Sequence, residues 1–235
     1  MPAQSRGGGA RRGLLLWGGW RSGHKGLYRY VAKALTRRGY VAVVPDYRIY
    51  PEVRYPDFLE DGARAVRWVK DNVHRFGGDP EKIFLMGHSA GAHIAAMLSI
   101  DSTWLDKAGL VPGRDLAGLI GILGAVRLPA AQGRDANYHF GGADRAETQP
   151  IFHVGPGAPP ALLLTGDRDD VVGAGNSTRL AERLRAAGNE ATAVIYPRVG
   201  HYIIVAALAP FLRFRVPVLR DAEVFIARAL ATRRR

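Results

Sequence analysis

Gly87-His88-Ser89-Ala90-Gly91 reads G-x-S-x-G, a spacing that can hold a serine hydroxyl at the apex of a sharp turn. Its surroundings fit that geometry. Lys82-Ile83-Phe84-Leu85-Met86 is a short apolar run with the character of a buried strand, and Ala92 to Ser99 reads as a helix. A strand, a tight turn with serine at its tip and then a helix make a nucleophile elbow. The glycines have a steric reason, because a Cβ at either flank would strike the neighbouring strand or helix.

Serine is a poor nucleophile at its free pKa; it needs an adjacent base, and the base needs an orienting acid. Past Ser89 the histidines are His93, His139, His153 and His201. His93 lies one helical turn beyond the serine and reads as packing. His139 and His153 fall in a stretch without periodicity and precede the acid candidates. His201 follows the penultimate strand, in a Pro197–His201 turn with Gly200 before it, and is the candidate base. Asp167, Asp169 and Asp170 all follow the strand that ends at Thr165-Gly166. The pattern Gly166-x-x-Asp169-x-x-Val172 favours Asp169, which lies beyond the turn and can bend toward His201. Asp167, nearer the strand end, suits capping of loop N–H groups, and Asp170 is the third choice.

Acyl transfer also needs donors for a tetrahedral oxyanion, commonly worth about 3 kcal/mol each. The backbone N–H of Ala90 is one candidate, and the Gly18-Gly19-Trp20 loop after the first strand is the other, with Gly18 and Gly19 letting backbone approach substrate closely. Trp20 and His88 are the candidate substrate-binding residues.

The elements that must position these groups alternate along the chain. Strands are expected at Gly13–Trp17, Tyr40–Val44, Lys82–Met86, Leu116–Leu123, from Ala161 to the Gly166-Asp167 turn, and Ala191–Tyr196. Helices are expected at Leu27–Arg38 with Gly39 as C-cap, Asp57–Phe76, Ser177–Ala187 with Gly188 as cap, and 221–232. Short strands apolar on both faces, separated by helices, predict a three-layer α/β domain with a mainly parallel sheet. Catalytic groups in such sheets lie beyond the carboxyl ends of the strands, where Ser89, Gly166–Asp170 and Gly200-His201 all fall.

Composition narrows the classes. A chain of 235 residues with 47% hydrophobic content suits one domain with a substantial core. With no cysteine, disulfides, thiolate chemistry and Cys-ligated metals are excluded. The net charge of +12 comes mainly from arginines scattered among Ala and Gly, so specific nucleic-acid binding is not expected. No run of 18 apolar residues predicts a membrane span, and Leu14-Leu15-Leu16-Trp17 is too short for a signal-peptide core, which points to a cytoplasmic protein. Residues 1–12 read as a disordered basic arm.

Taken together, several stretches resemble the hormone-sensitive-lipase-like and feruloyl-esterase-like branch of the α/β-hydrolases, near kynurenine formamidases and prenylcysteine methylesterases. They are Gly18-Gly19-Trp20 with Ser22-Gly23 and Lys25; Val44-Pro45-Asp46-Tyr47-Arg48 with Tyr50-Pro51-Glu52; Phe76-Gly77-Gly78-Asp79-Pro80; Ile83 to His93; the Gly166–Asp169 turn; and Gly200-His201. The resemblance spans roughly residues 13–230. It implies an α/β-hydrolase fold and a Ser-His-Asp esterase (Ser89, His201, Asp169) acting on small carboxylic esters without cofactor or metal. Asp46-Tyr47-Arg48 would brace the loop beside the site. An amidase of the kynurenine formamidase type and an inactive hydrolase-fold binding module are the alternatives.

Two departures accompany it. Trp17 stands where the family usually has a His before Gly-Gly, and the loop is one residue shorter, which bears on the second oxyanion donor. Only twelve residues precede the first strand where the family usually has two or more further strands, so the fold reads as shortened at its N-terminus. Residues 124–160 leave room for at most a small cap. Trp20, Tyr50, Tyr138, Phe140 and Phe152 are aromatics expected more in the core than in a pocket.

Overall fold

The computed structural model describes residues 11–18, 25–122, 146–170 and 173–233. Its sheet has six parallel strands: β1 (Arg11–Gly18), β2 (Val41–Val43), β3 (Gly78–His88), β4 (Gly118–Ile122), β5 (Ala161–Gly166) and β6 (Ala191–Tyr196), in the order β2-β1-β3-β4-β5-β6. Parallel neighbours require crossovers, and helices supply them on both faces.

Strand periodicity explains the two core layers. In β3, Ile83 and Leu85 enter one layer while Phe84 and Met86 enter the other, all fully buried. β5 repeats this with Leu163 on the first side and Leu162 and Leu164 on the second. The first layer is closed by helices α2 (Asp57–Asn72), α3 (Ala90–Ile100) and α6 (Gly175–Ala186). The second is closed by α1 (Arg29–Thr36), α7 (His201–Ala206) and α8 (Val218–Thr232). Every residue of α3 is buried, so it has no polar stripe and sits as a fully enclosed helix under the sheet. Helix α2 approaches it closely at Gly62, where a Cβ would come within 2.9 Å of Leu98 of α3.

The observed elements follow the expected ones with physical exceptions. β1 begins at Arg11, so Arg11 and Arg12 belong to the sheet and not to an arm; they align with Gly78 and Asp79, where backbone pairing outweighs side-chain polarity. The first predicted helix divides into a 3-10 turn (Lys25–Tyr28) and α1, which stops at Gly39 with φ +84°. The second divides into α2 and a 3-10 turn (Val73–Phe76) closed by Gly77 at φ +75°. Helices α4 (Ser102–Asp106), α5 (Pro112–Asp115) and α7 were not anticipated, because each has six residues or fewer, too short to show periodicity.

In the expected cap region, residues 146–160 are described and are tied to the domain body. The Thr148 carbonyl accepts from buried His93 at 2.6 Å, and the Glu147 carbonyl accepts from Tyr55 at 2.9 Å. Residues 123–145 lie outside the described residues, with Tyr138 and Phe140 among them. Among the described residues, no helix is long and apolar enough to cross a membrane.

Candidate active site

β3 runs straight into α3 through one residue. Ser89 holds φ 53° and ψ −120°, a positive φ that a side-chain-bearing residue seldom adopts, and its N–H donates to the Ile122 carbonyl of β4 at 3.0 Å. The strain is held by its surroundings, not by glycine at the apex. Gly87 is what makes the turn fit: a Cβ there would lie 2.1 Å from the Gly91 carbonyl oxygen. The serine carbonyl then accepts the N–H groups of Ala92 and His93, starting the helix, and Ala90 is its first residue. As such, Ala90 carries an N–H with no intrahelical partner, at the positive end of the helix dipole.

The loops after β5 and β6 are zipped together by backbone. The Asp167 N–H donates to the Tyr196 carbonyl at 3.0 Å and the Arg168 N–H to the Val199 carbonyl at 3.1 Å. Val199 passes so close to Gly166 that a Cβ there would meet its carbonyl oxygen at 2.0 Å. Asp167 caps the crossing by accepting the Arg198 N–H at 2.6 Å. The same crossing aims Asp169 at His201.

His201 Nδ1 lies 3.1 and 3.2 Å from the two Asp169 carboxylate oxygens, and His201 Nε2 lies 3.1 Å from Ser89 Oγ. A carboxylate only accepts, so Nδ1 carries the ring proton and Nε2 presents its lone pair to the serine hydroxyl. Both His201 and Asp169 are buried, which strengthens each interaction along this line. Such a line can take a proton from the hydroxyl and hold the resulting imidazolium. His201 is the first residue of α7, not the end of a turn as its surroundings in the sequence suggested.

Residues 17–205 match the family described as alpha/beta hydrolase fold. The chain belongs to it. Among relatives of this α/β-hydrolase are a probable isoprenylcysteine alpha-carbonyl methylesterase of Arabidopsis thaliana, 26% identical over 206 residues, covering 78% of this chain and 43% of the relative. Another is the esterase LipC of Mycobacterium tuberculosis, 29% identical over 203 residues, covering 78% and 50% respectively. The chain therefore spans about half the length of these curated relatives. Among solved structures, apo esterase 2 of Thermogutta terrifontis superposes with a TM-score of 0.79 at 24% identity, covering 97% of this chain and 87% of that one.

Other expected site residues of this α/β-hydrolase have distinct places. Gly18 ends β1 in register with His88, the last residue of β3 before Ser89. Gly19 and Trp20 lie outside the described residues. His88 was expected to touch substrate, but it is 7% exposed with both ring nitrogens engaged. Its Nε2 lies 3.3 Å from the His201 carbonyl, which only accepts, and its Nδ1 lies 3.3 Å from the Tyr28 hydroxyl. This makes His88 a neutral brace under His201, with Tyr28 donating from behind. Sequence reasoning missed Tyr28, which sits sixty residues away with no motif to mark it. Arg48 clamps Asp61 of α2 through two guanidinium nitrogens, tethering the Asp46-Tyr47-Arg48 loop as a brace would. Phe152, expected in the core, is exposed, because the 3-10 turn that carries it lies at the surface. Among the described residues, no group of three His, Asp or Glu could hold a metal ion.

Burial pushes the His88 and His93 imidazoles down to about 4, so both fold in neutral form. A group that is harder to protonate folded than unfolded contributes stability that is complete above its unfolded pKa, near 6.5, and is lost as pH falls toward 4. Asp115 is held lower, at about 2: its desolvation is outweighed by bonds from Arg114, the Val111 N–H and Lys70. The urea midpoint is therefore expected to drop steadily between pH 6.5 and 5. A flat midpoint over that window would contradict neutral burial of the two histidines.

Proposed function

We propose that this protein is a serine hydrolase that cleaves small carboxylic esters through an acyl-enzyme on Ser89. The observation that carries the reading is the unbroken line from Ser89 Oγ through His201 to Asp169, with 3.1 Å at both junctions. In the first half-reaction Ser89 Oγ attacks the ester carbonyl carbon while its proton passes to His201 Nε2. Asp169 stabilises the imidazolium and keeps the ring oriented. The carbonyl oxygen becomes an oxyanion held by the Ala90 N–H and a donor from the Gly18-Gly19 loop. Collapse breaks the ester C–O bond, and His201 returns the proton to the departing alkoxide. Water then repeats the sequence on the acyl-enzyme, releasing the acid and restoring Ser89.

The comparisons support the ester class. Relatives are named as esterases and methylesterases, and esterase 2 of Thermogutta terrifontis has been solved with butyrate bound and phosphorylated by paraoxon. The substrate reading for this chain is a short acyl ester. The test is hydrolysis of a p-nitrophenyl series from acetate to decanoate, alongside labelling by a fluorophosphonate probe. The expected result is labelling at Ser89 and a kcat/KM maximum at the short end of the series. Folded protein that neither labels nor turns over any member would overturn the reading.

A further inference from the structure

Between Glu190 and Asp221 the chain carries no carboxylate residue, yet it holds Arg198, Arg213, Arg215 and Arg220. From His201 onward this stretch exposes four large apolar side chains: Tyr202 at 73%, Ile203 at 40%, Phe211 at 73% and Phe214 at 84%. Isolated exposed apolar residues need no explanation, but a concentration of them does.

The backbone holds this stretch in a defined form. Beneath it, Ala207, Leu208, Ala209 and Val216 are buried in the second core layer or at its edge. The Leu212 N–H donates to the Ala209 carbonyl and the Arg215 N–H to the Leu212 carbonyl, so two successive turns present Phe211 and Phe214 outward. Arg213 Nε donates to the Leu208 carbonyl at 3.1 Å, pinning the same turn from its side chain. Among the described residues no carboxylate pairs with the guanidinium of Arg198, Arg213, Arg215 or Arg220.

We propose that the segment from Tyr202 to Arg215 is a docking surface for an anionic lipid surface. Apolar rings that enter the boundary between headgroups and acyl chains, flanked by arginines that meet phosphates, are the combination such a surface recognises. The net charge of +12 draws the whole molecule to it. A second copy of the chain is a poorer occupant, because a two-fold contact through this face sets unpaired arginines against arginines. The position also has a consequence. Tyr202 directly follows His201 and its ring meets the His201 ring edge-on at 5.1 Å, so a docked surface lies next to the candidate base. The proposal does not depend on the hydrolase reading, since docking is measured without turnover.

The test is co-sedimentation of the full chain with vesicles of phosphatidylcholine alone or with phosphatidylserine added, at near-physiological salt. Binding to the anionic vesicles is expected. Phe211→Ser with Phe214→Ser is expected to weaken it at least tenfold, and Arg215→Gln by about fivefold. Circular dichroism and the urea midpoint check that the variants are folded. No binding to anionic vesicles would overturn the proposal. So would binding unaffected by the phenylalanine pair, which would be nonspecific charge, or concentration-dependent self-association that the phenylalanine pair abolishes, which would make the face a self-contact.

Discussion

Ser89→Ala is expected to lower kcat for p-nitrophenyl butyrate by about 10⁴–10⁶-fold while leaving the thermal midpoint unchanged. Alanine retains the Cβ, so the strained φ of 53° is neither relieved nor worsened, and the N–H to Ile122 is preserved. What disappears is the hydroxyl oxygen that the proposed mechanism bonds to the acyl group. Some catalysis over water would survive through the backbone donors alone. Because Ser89 and His201 act as one unit, His201→Ala should cost about as much as Ser89→Ala, and the double variant little more than either. Single-turnover and steady-state kinetics on the three proteins check this. Ester turnover that persists in Ser89→Ala would place the nucleophile elsewhere.

Asp169→Asn is expected to lower kcat by about 10⁴-fold with little change in KM. The carboxylate accepts from Nδ1 and so fixes the tautomer whose Nε2 lone pair faces Ser89 at 3.1 Å. An amide in its place can donate to Nδ1 instead, which puts the proton on Nε2 and removes the base. Asp167→Ala is the informative partner. Asp167 accepts the Arg198 N–H where Arg198 holds φ 61°, so its loss should lower stability and leave kcat within about tenfold. Measuring kcat and urea midpoint for both variants separates the two roles. An equal fall in kcat for both would mean that the loop, not the Asp169 carboxylate, governs turnover.

Much of this site was legible before any coordinates. The strand-turn-helix context of Gly87 to Gly91 located the elbow, because a G-x-S-x-G between an apolar run and a helical stretch has few other uses. The Gly166 to Asp169 spacing singled out the aspartate that meets His201. Strand existence was likewise clear from continuous apolar runs, and β6 was legible residue for residue. The short helices were not, since six residues or fewer cannot display a helical period.

The sequence by itself determined what is local: the parallel α/β class, the turn that carries Ser89, and the three residue types that could share a proton relay. Each of these follows from periodicity, chain order or the conformational freedom of a glycine. Tertiary structure alone decided what depends on two distant segments meeting. Val199 crossing over Gly166 sets the distance at which Asp169, favoured by its spacing, meets His201, and it supplies the Arg198 N–H that Asp167 caps. Burial between Tyr28 and the His201 carbonyl turns His88 from an expected substrate contact into a neutral brace. It also set which apolar residues after His201 stay in water, since exposure of Phe211 and Phe214 follows from where Leu208 and Val216 anchor the turn. Those outcomes rest on packing and desolvation between residues far apart in the chain, and no spacing along it encodes them.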